Sequence, residues 1–152
     1  MYRGLLLAVS LAAMVLPARA DTVWELVTPA EVQLELATPH PAGPQTRAMP
    51  APGAPKIVVV QPVAAGTLHP PLTFRVRFVP EAGAAIDTHT FRATYGFMGI
   101  DITSRLLQHA RLSSQELDAD NVAVPAGNHQ VTLTIADSRG REVSQTFQFT
   151  VQ

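Results

Sequence analysis

Residues 131–151, VTLTIADSRGREVSQTFQFTV, alternate apolar and polar side chains on both sides of a short polar break. Successive side chains of a β-strand point to opposite faces, so each run would bury one face and expose the other. The break, Asp137-Ser138-Arg139-Gly140, has Asp first and Gly last, which suits a type I turn closed by a left-handed glycine. We therefore predict a β-hairpin whose second strand buries Phe147, Phe149 and Val151.

Strand-like runs continue toward the N-terminus as far as residue 56. Some alternate and others are continuous β-branched stretches, and they lie at residues 57–60, 72–78, 91–95 and 122–124. About seven short strands without intervening helices indicate an all-β chain that folds as an antiparallel β-sandwich of two sheets.

One segment interrupts this strand pattern. Residues 101–107, DITSRLL, contain two residues that favour helix N-caps, Asp101 and Thr103. We predict a single helical turn there, with Leu106 and Leu107 pointing inward.

Three motifs accompany the predicted hairpin. A P-x-G-x-H-x-V pattern spans residues 125–131, D-x-x-G-R spans 137–141, and the last strand ends in F-x-V at 149–151. Together with residues 87–96, these motifs resemble those of bacterial immunoglobulin-like and fibronectin-III-like domains, and the resemblance covers residues 56–152.

The resemblance implies an immunoglobulin-like sandwich but no particular activity. Such domains serve as adhesin stalks, spacers, carbohydrate-contacting modules and accessory subunits. The chain departs from the antibody type because it lacks the cysteine pair and the core tryptophan. Tyr95 and the phenylalanines of the strands would then form the aromatic core.

The first 20 residues have the pattern of a cleaved signal peptide. Arg3 precedes an apolar run at residues 5–16, and Pro17 is followed by Ala18-Arg19-Ala20. A run of about a dozen apolar residues is shorter than the roughly 20 that span a bilayer. We predict cleavage after Ala20, a periplasmic or secreted protein, and no transmembrane segment after cleavage.

Proline content divides the rest of the chain. Seven prolines lie between residues 29 and 55, where large apolar side chains are few. Such a segment buries too little surface to offset its ordering entropy. We predict an N-terminal segment at 21–38, a Pro/Ala-rich linker at 39–55 and the sandwich domain at 56–152.

The N-terminal segment can be read in two ways. Thr28-Pro29-Ala30-Glu31 fits a helix capping box with proline at the first helical position. Residues 32–36 also alternate as a strand would. The capping chemistry favours a short helix, with Glu31 and Glu35 on a solvent face and Val32 and Leu36 together on another side.

Composition excludes several classes of protein. Charged residues make up 15% of the chain, below the roughly 25% of soluble domains. Eleven basic residues against 12 acidic ones argue against nucleic-acid binding. Without cysteine the chain has no disulfide, no thiolate nucleophile and no cysteine-ligated metal.

Metal binding is a hypothesis that the spacing does not favour. Five histidines (40, 69, 89, 109 and 129) are too far apart in sequence to form a local ligand pair. Residues 118–121 offer carboxylate oxygens but lack the glycine and the distal glutamate of a calcium loop, so we expect a solvated connector. We predict no metal site and no cofactor, and we expect His129, at the entry to a strand, to be a surface or edge residue.

The possible binding surface therefore consists of other residues. Two arginines spaced by two lie on one side of a strand and can grip a carboxylate or phosphate. Tryptophan is favoured at interfaces, although Trp24 could equally dock on its own domain. The residues we select for this surface are Trp24, Arg75, Arg77, His129, Arg139 and Arg141.

The sequence nominates no catalytic residue. It contains no G-x-S-x-G, S-x-x-K or H-E-x-x-H motif. We predict a non-enzymatic, exported binding or assembly module whose partner is another envelope protein or a surface glycan, with the oligomeric state left open. The alternative is a periplasmic ligand-handling protein that binds a metal through loop His and Asp residues, or an acidic glycan or phosphate through arginine.

Overall fold

The computed structural model of the chain describes residues 22–39, 49–63 and 66–152. The predicted signal peptide and most of the predicted linker lie outside these residues. The described part forms ten strands and two helices. In chain order they are β1 (Trp24–Glu25), α1 (Pro29–Ala37), β2 (Lys56–Gln61), β3 (Thr67–Leu68), β4 (Leu72–Val79), β5 (Ile86–Tyr95), β6 (Ile100–Asp101), α2 (Thr103–His109), β7 (Arg111–Leu112), β8 (Glu116–Ala123), β9 (Gly127–Asp137) and β10 (Glu142–Val151).

The strands form two sheets, which confirms the predicted β-sandwich. Sheet A has the order β1-β8-β4-β2, with β7 also paired to β8, and sheet B has the order β3-β10-β9-β5-β6. The prediction of about seven strands was too low, because four of the ten have only two residues and so show no periodicity. Two of these short strands pair in parallel, β1 with β8 and β3 with β10.

Alternating burial along the long strands builds one core between the sheets. In β4 the side chains of Phe74, Val76 and Phe78 are buried while their neighbours face outward. The Phe74 ring meets the Phe149 ring of the opposite sheet edge-on at a centroid distance of 5.5 Å. Tyr95 is 1% exposed, so the aromatic core forms as expected.

The predicted β9–β10 hairpin is confirmed, and Phe149 and Val151 are buried as expected, but Phe147 is only partly buried. The Gly140 amide donates to the Asp137 carbonyl at 2.8 Å, and Gly140 has a φ of +73°, which a residue with a side chain rarely adopts. The two strands stay in register from Glu142 opposite Ala136 to Val151 opposite Gly127.

Helix α1 begins with the predicted capping box, which excludes the strand alternative. The Glu31 amide donates to the Thr28 hydroxyl at 3.3 Å, and the Thr28 amide donates to the Glu31 carboxylate at 2.8 Å. The expected faces were wrong, however. Val32 is buried but Leu36 is exposed, and both glutamates that should face solvent hold the helix in place.

Each of these glutamates contacts a different element. Glu31 forms a bidentate ion pair with Arg105 of α2, with N–O distances of 2.8 and 2.9 Å. Hydrogen bonds from Arg105, with others from Thr28, lower the pKa of Glu31 to about 2. The Glu35 carboxylate accepts the Phe97 amide, beyond the end of β5, at 2.5 Å. Helix α1 is thereby joined to α2 and to sheet B.

The N-terminal segment docks on its own sandwich, which decides between the two alternatives left open for Trp24. Trp24, Leu26 and Val27 are buried in the same core as the long strands. The Trp24 indole donates to the Asp120 carbonyl at 2.9 Å and stacks on His109 at a centroid distance of 4.5 Å.

Two local predictions need correction. Helix α2 forms where a helical turn was expected, but its N-cap is Ile102, without a side-chain cap, rather than Asp101 or Thr103. Asp101 does accept the Thr103 amide at 2.8 Å, and only Leu106 is buried while Leu107 is exposed. Residues 118–121 are not a connector but part of β8, in which Asp118 and Ala119 pair with β4. Within the described residues, no helix is long and apolar enough to cross a membrane.

Candidate interaction surface

The structure does not gather the predicted surface residues into one site. Trp24 is buried in β1, at one edge of sheet A, and His129 is buried near the start of β9. Arg75 and Arg77 lie on the outer face of β4. Arg139 and Arg141 lie in and just after the turn between β9 and β10. The expectation that His129 is a surface or edge residue was wrong, because it is buried and β9 lies between β10 and β5.

His129 is held inside the fold as a neutral ring. Its Nε2 lies 2.8 Å from the Pro125 carbonyl, which can only accept, so Nε2 carries the hydrogen. Its Nδ1 therefore accepts the Tyr95 hydroxyl at 3.0 Å. Burial lowers the pKa of His129 below its ordinary value of 6.5, and burial, with the charges of Glu35 and Glu31, raises that of Tyr95.

Acidification should therefore weaken the fold through His129. Below about pH 6.5 the unfolded chain takes up a proton that the folded chain excludes, so the free energy of unfolding falls by up to about 1.4 kcal/mol per pH unit. Above that pH, His129 does not make the free energy of unfolding depend on pH. Denaturant unfolding of the parent chain and of His129→Gln between pH 7.5 and 5.5 measures the difference, and equal slopes would contradict it.

The two arginines of the hairpin have different partners, one in the turn itself and one in the loop between β4 and β5. Arg141 pairs with the Asp137 carboxylate at 2.6 Å, and Arg139 donates to the Gly83 carbonyl at 3.0 Å. Burial alone would raise the pKa of Asp137, but hydrogen bonds from the Arg141 side chain and from the Arg141 and Arg139 amides outweigh it and lower that pKa. Arg139 and Arg141 therefore both have partners within the chain.

Arg75 and Arg77 do lie on one side of β4, as predicted. They face acidic residues of β8, since Arg75 is opposite Asp118 and Arg77 is opposite Glu116. Arg75 forms an ion pair with Asp118 at 3.3 Å. Arg111 of β7 also lies opposite Asp118, so basic and acidic side chains alternate across this face and the arginines have acidic neighbours.

Among the described residues, no group of three or more His, Asp and Glu side chains could hold a metal ion. Three of the four described histidines instead have separate local contacts. His109 stacks on Trp24, His69 contacts the Gln152 carbonyl at 3.1 Å, and His129 bonds to Tyr95. The structure therefore gives the metal alternative no added support.

The feature that sequence reasoning missed is the exposed edge of sheet A at β2. Among strands at the ends of either sheet order in the described chain, β2 is the only one longer than two residues. Short edge strands limit unwanted pairing, whereas a longer edge offers unpaired backbone groups. The run at 57–60 predicted a strand, but its edge position depends on the pairing of distant strands.

The backbone groups that β2 leaves open can be identified. The Phe78 amide donates to the Gln115 carbonyl at 2.7 Å, so the backbone groups of Phe78 point toward β8. Ile57, opposite Phe78, therefore points its amide and carbonyl away from β4. The amide and carbonyl of Val59, two residues later, also point away from β4. Those of Lys56 and Val58 bond to β4.

The side chains around this edge are apolar. On the outer face, Val58 is 45% and Val60 is 42% exposed, and Val63 beyond the strand is 70% exposed. Between β2 and β10 runs a groove of about 170 Å³, lined by Val59, Val60, Pro62, Val63, Phe147, Gln148 and Phe149. Three of these residues also line a cleft of about 520 Å³ that reaches Leu36 of α1.

The neighbouring edge of β10 is less suited to pairing. β3 covers only Thr150 and Val151, so much of β10 is also uncovered on this side. There, however, the Gln145 side chain donates to the Thr146 carbonyl at 3.0 Å. β10 also turns polar rather than apolar side chains to its outer face, which leaves β2 as the apolar edge.

Comparisons with known proteins identify no family for the chain. No protein-family model matches it, and neither does any curated protein. Among solved structures, it is similar to CopC from Methylosinus trichosporium OB3b, with 18% identity and a TM-score of 0.41. The similar region covers 64% of this chain and 94% of that one. Similarity at this level says nothing about what this chain binds.

Proposed function

We propose that the chain is an exported, non-enzymatic binding and assembly module, built on an immunoglobulin-like sandwich, that pairs with an extended strand of an envelope protein at β2. The observation that carries the proposal is the six-residue β2 edge with two outward-pointing backbone positions, Ile57 and Val59. Adding a strand to an open sheet edge is a recurrent mode of protein recognition. Main-chain hydrogen bonds supply affinity there, and alternate side chains supply specificity.

Strand order supports the immunoglobulin-like part of the proposal. In that fold one sheet has strands in the order A-B-E-D, and the other contains C, F and G. Here the series β2-β4-β8-β7 follows the first pattern, and β10-β9-β5-β6 follows G-F-C with one added strand.

His129 supports the same assignment. Immunoglobulin-like domains often carry a tyrosine near the start of strand F whose hydroxyl bonds to the backbone a few residues upstream. His129 lies near the start of β9, and its Nε2 donates to the Pro125 carbonyl four residues earlier. It therefore takes the role of that corner tyrosine, which is structural rather than catalytic.

The geometry favours a protein partner over a surface glycan. Amides and hydroxyls do line the 520 Å³ cleft, but they bond to one another: Gln148 donates to Gln130 at 3.0 Å and Thr150 donates to Asn128 at 2.8 Å. The exposed valines at β2 would gain from burial against an apolar strand.

The proposal is tested by amide hydrogen exchange, measured by NMR, with a synthetic peptide of residues 55–62 as the strand. We expect the peptide to slow exchange at Ile57 and Val59. Lys56 and Val58 should change little because their amides already bond to β4. A control peptide with proline at the positions of Ile57 and Val59 cannot donate there and should have no effect.

Two results would overturn the proposal. One is exchange at Ile57 and Val59 that is fast both with and without the peptide. The other is protection confined to β10 amides such as those of Ser144 and Gln148.

A further inference from the structure

We infer that the strand that pairs with β2 is β2 of a second copy, in an antiparallel arrangement about a two-fold axis at Val58. This inference rests on the proposed function, because it names the partner of the same edge. A two-fold contact uses one surface patch on both copies, so the patch must complement itself. β2 meets this requirement in its backbone, its side chains and its length.

The backbone positions match across the axis. With Val58 opposite the partner's Val58, the outward-pointing Ile57 lies opposite the partner's Val59. In an antiparallel pair such residues exchange both of their N–H and C=O hydrogen bonds. The two-fold axis repeats the exchange between Val59 and the partner's Ile57. Moving the two-fold axis by one residue in either direction would lose part of these hydrogen bonds.

The side chains match in the same register. Lys56 lies opposite the partner's Val60, so no like charges face each other directly. Val58 faces the partner's Val58 on the outer face, where it is 45% exposed in the single chain. Cross-strand pairs of β-branched residues stabilise a sheet, whereas directly opposed like charges destabilise it.

The nearest arginines are not an obstacle. Arg77 lies beside Val58 on β4. Its counterpart in the second copy would lie three strand spacings away, about 14 Å. That distance exceeds the screening length of about 8 to 10 Å at physiological ionic strength.

The same features limit the assembly to a closed pair. The register of β2 shifts between Val59 and Gln61, and Pro62, which has no amide hydrogen, follows directly. Pairing is therefore confined to the few residues before the shift. Since the two-fold contact occupies the β2 edge of both copies, a third copy finds no equivalent edge in the described residues.

Sedimentation equilibrium on residues 21–152, from about 1 µM to about 1 mM, tests the inference. We expect a reversible monomer–dimer equilibrium. Val58→Lys and Val58→Glu should each weaken it about tenfold or more, because each places like charges on the axis. An equimolar mixture of the two variants should restore a dimer, since opposite charges then meet at that position.

Val79→Glu is the matched control, since a glutamate there lies opposite Lys56 and places no like charges together. Val79 is 42% exposed on the outer face, close to the exposure of Val58, but it lies on β4 rather than at the edge. This variant should dimerise like the parent chain. Thermal unfolding of all three variants confirms that each is folded before association is compared.

The outcomes separate this inference from the proposed function. A parent chain that stays monomeric throughout, or a dimer that Val58→Lys does not weaken, overturns the inference. If the peptide of residues 55–62 still protects Ile57 and Val59, the edge accepts an added strand and the proposed function stands. If the inference is right, the same peptide dissociates the dimer.

Discussion

Trp24→Ala is expected to lower the free energy of unfolding by about 3 to 5 kcal/mol, the usual cost of removing a buried large aromatic side chain. Trp24 is 8% exposed and packs in the same core as the long strands. Alanine would also lose the hydrogen bond to the Asp120 carbonyl and the stack on His109. Denaturant unfolding followed by circular dichroism measures the change.

Val23→Ala is the control for this variant. Val23 is adjacent in sequence but 51% exposed, so its replacement should change stability by no more than about 0.5 kcal/mol. If Trp24→Ala and Val23→Ala behaved alike, the N-terminal segment would be a tether that is free to bind a partner. A large difference makes the segment part of the folding unit.

The elements that sequence predicted correctly are those fixed by local chemistry. The β9–β10 hairpin follows from alternation and from a turn that needs an aspartate first and a left-handed glycine last. The start of α1 follows from the Thr28–Glu31 capping box, whose partners lie within one helical turn. Neighbours along the chain are sufficient to specify both features.

The elements that sequence missed depend on distant pairing. β1 and β3 have two residues each and exist only because β8 and β10 hold them. Residues 118–121 contain two aspartates and resemble a loop, but Arg75 and Thr73 on β4 pair with those aspartates. Such pairs form between residues tens of positions apart in the chain, and no local sequence pattern indicates them.

The candidate site was missed for the same reason. The apolar run at 57–60 predicts a strand whether it lies in the middle of a sheet or at its edge. Which of these holds depends on where the other strands pair. His129 shows the converse case, because a polar residue at a strand start is expected at the surface. Its burial depends on Tyr95 and the Pro125 carbonyl being close enough to satisfy both nitrogens.

Phe149→Ala is expected to cost about 3 to 5 kcal/mol of unfolding free energy. Phe149 is 7% exposed, and its ring contacts those of Phe74 and His129, each at a centroid distance of 5.5 Å. Phe149 also lines both the groove between β2 and β10 and the 520 Å³ cleft. Removing its ring would therefore open the core to water from this side.

Gln148→Ala provides the matched comparison, since Gln148 is the preceding residue and points to the opposite face of β10. It is exposed, and its amide donates to Gln130 at 3.0 Å, so alanine should change stability by no more than about 0.5 kcal/mol. Equal losses in the two variants would mean that β10 does not bury the face that its alternation predicts. A loss confined to Phe149→Ala assigns Phe149 to the inner face of the last strand.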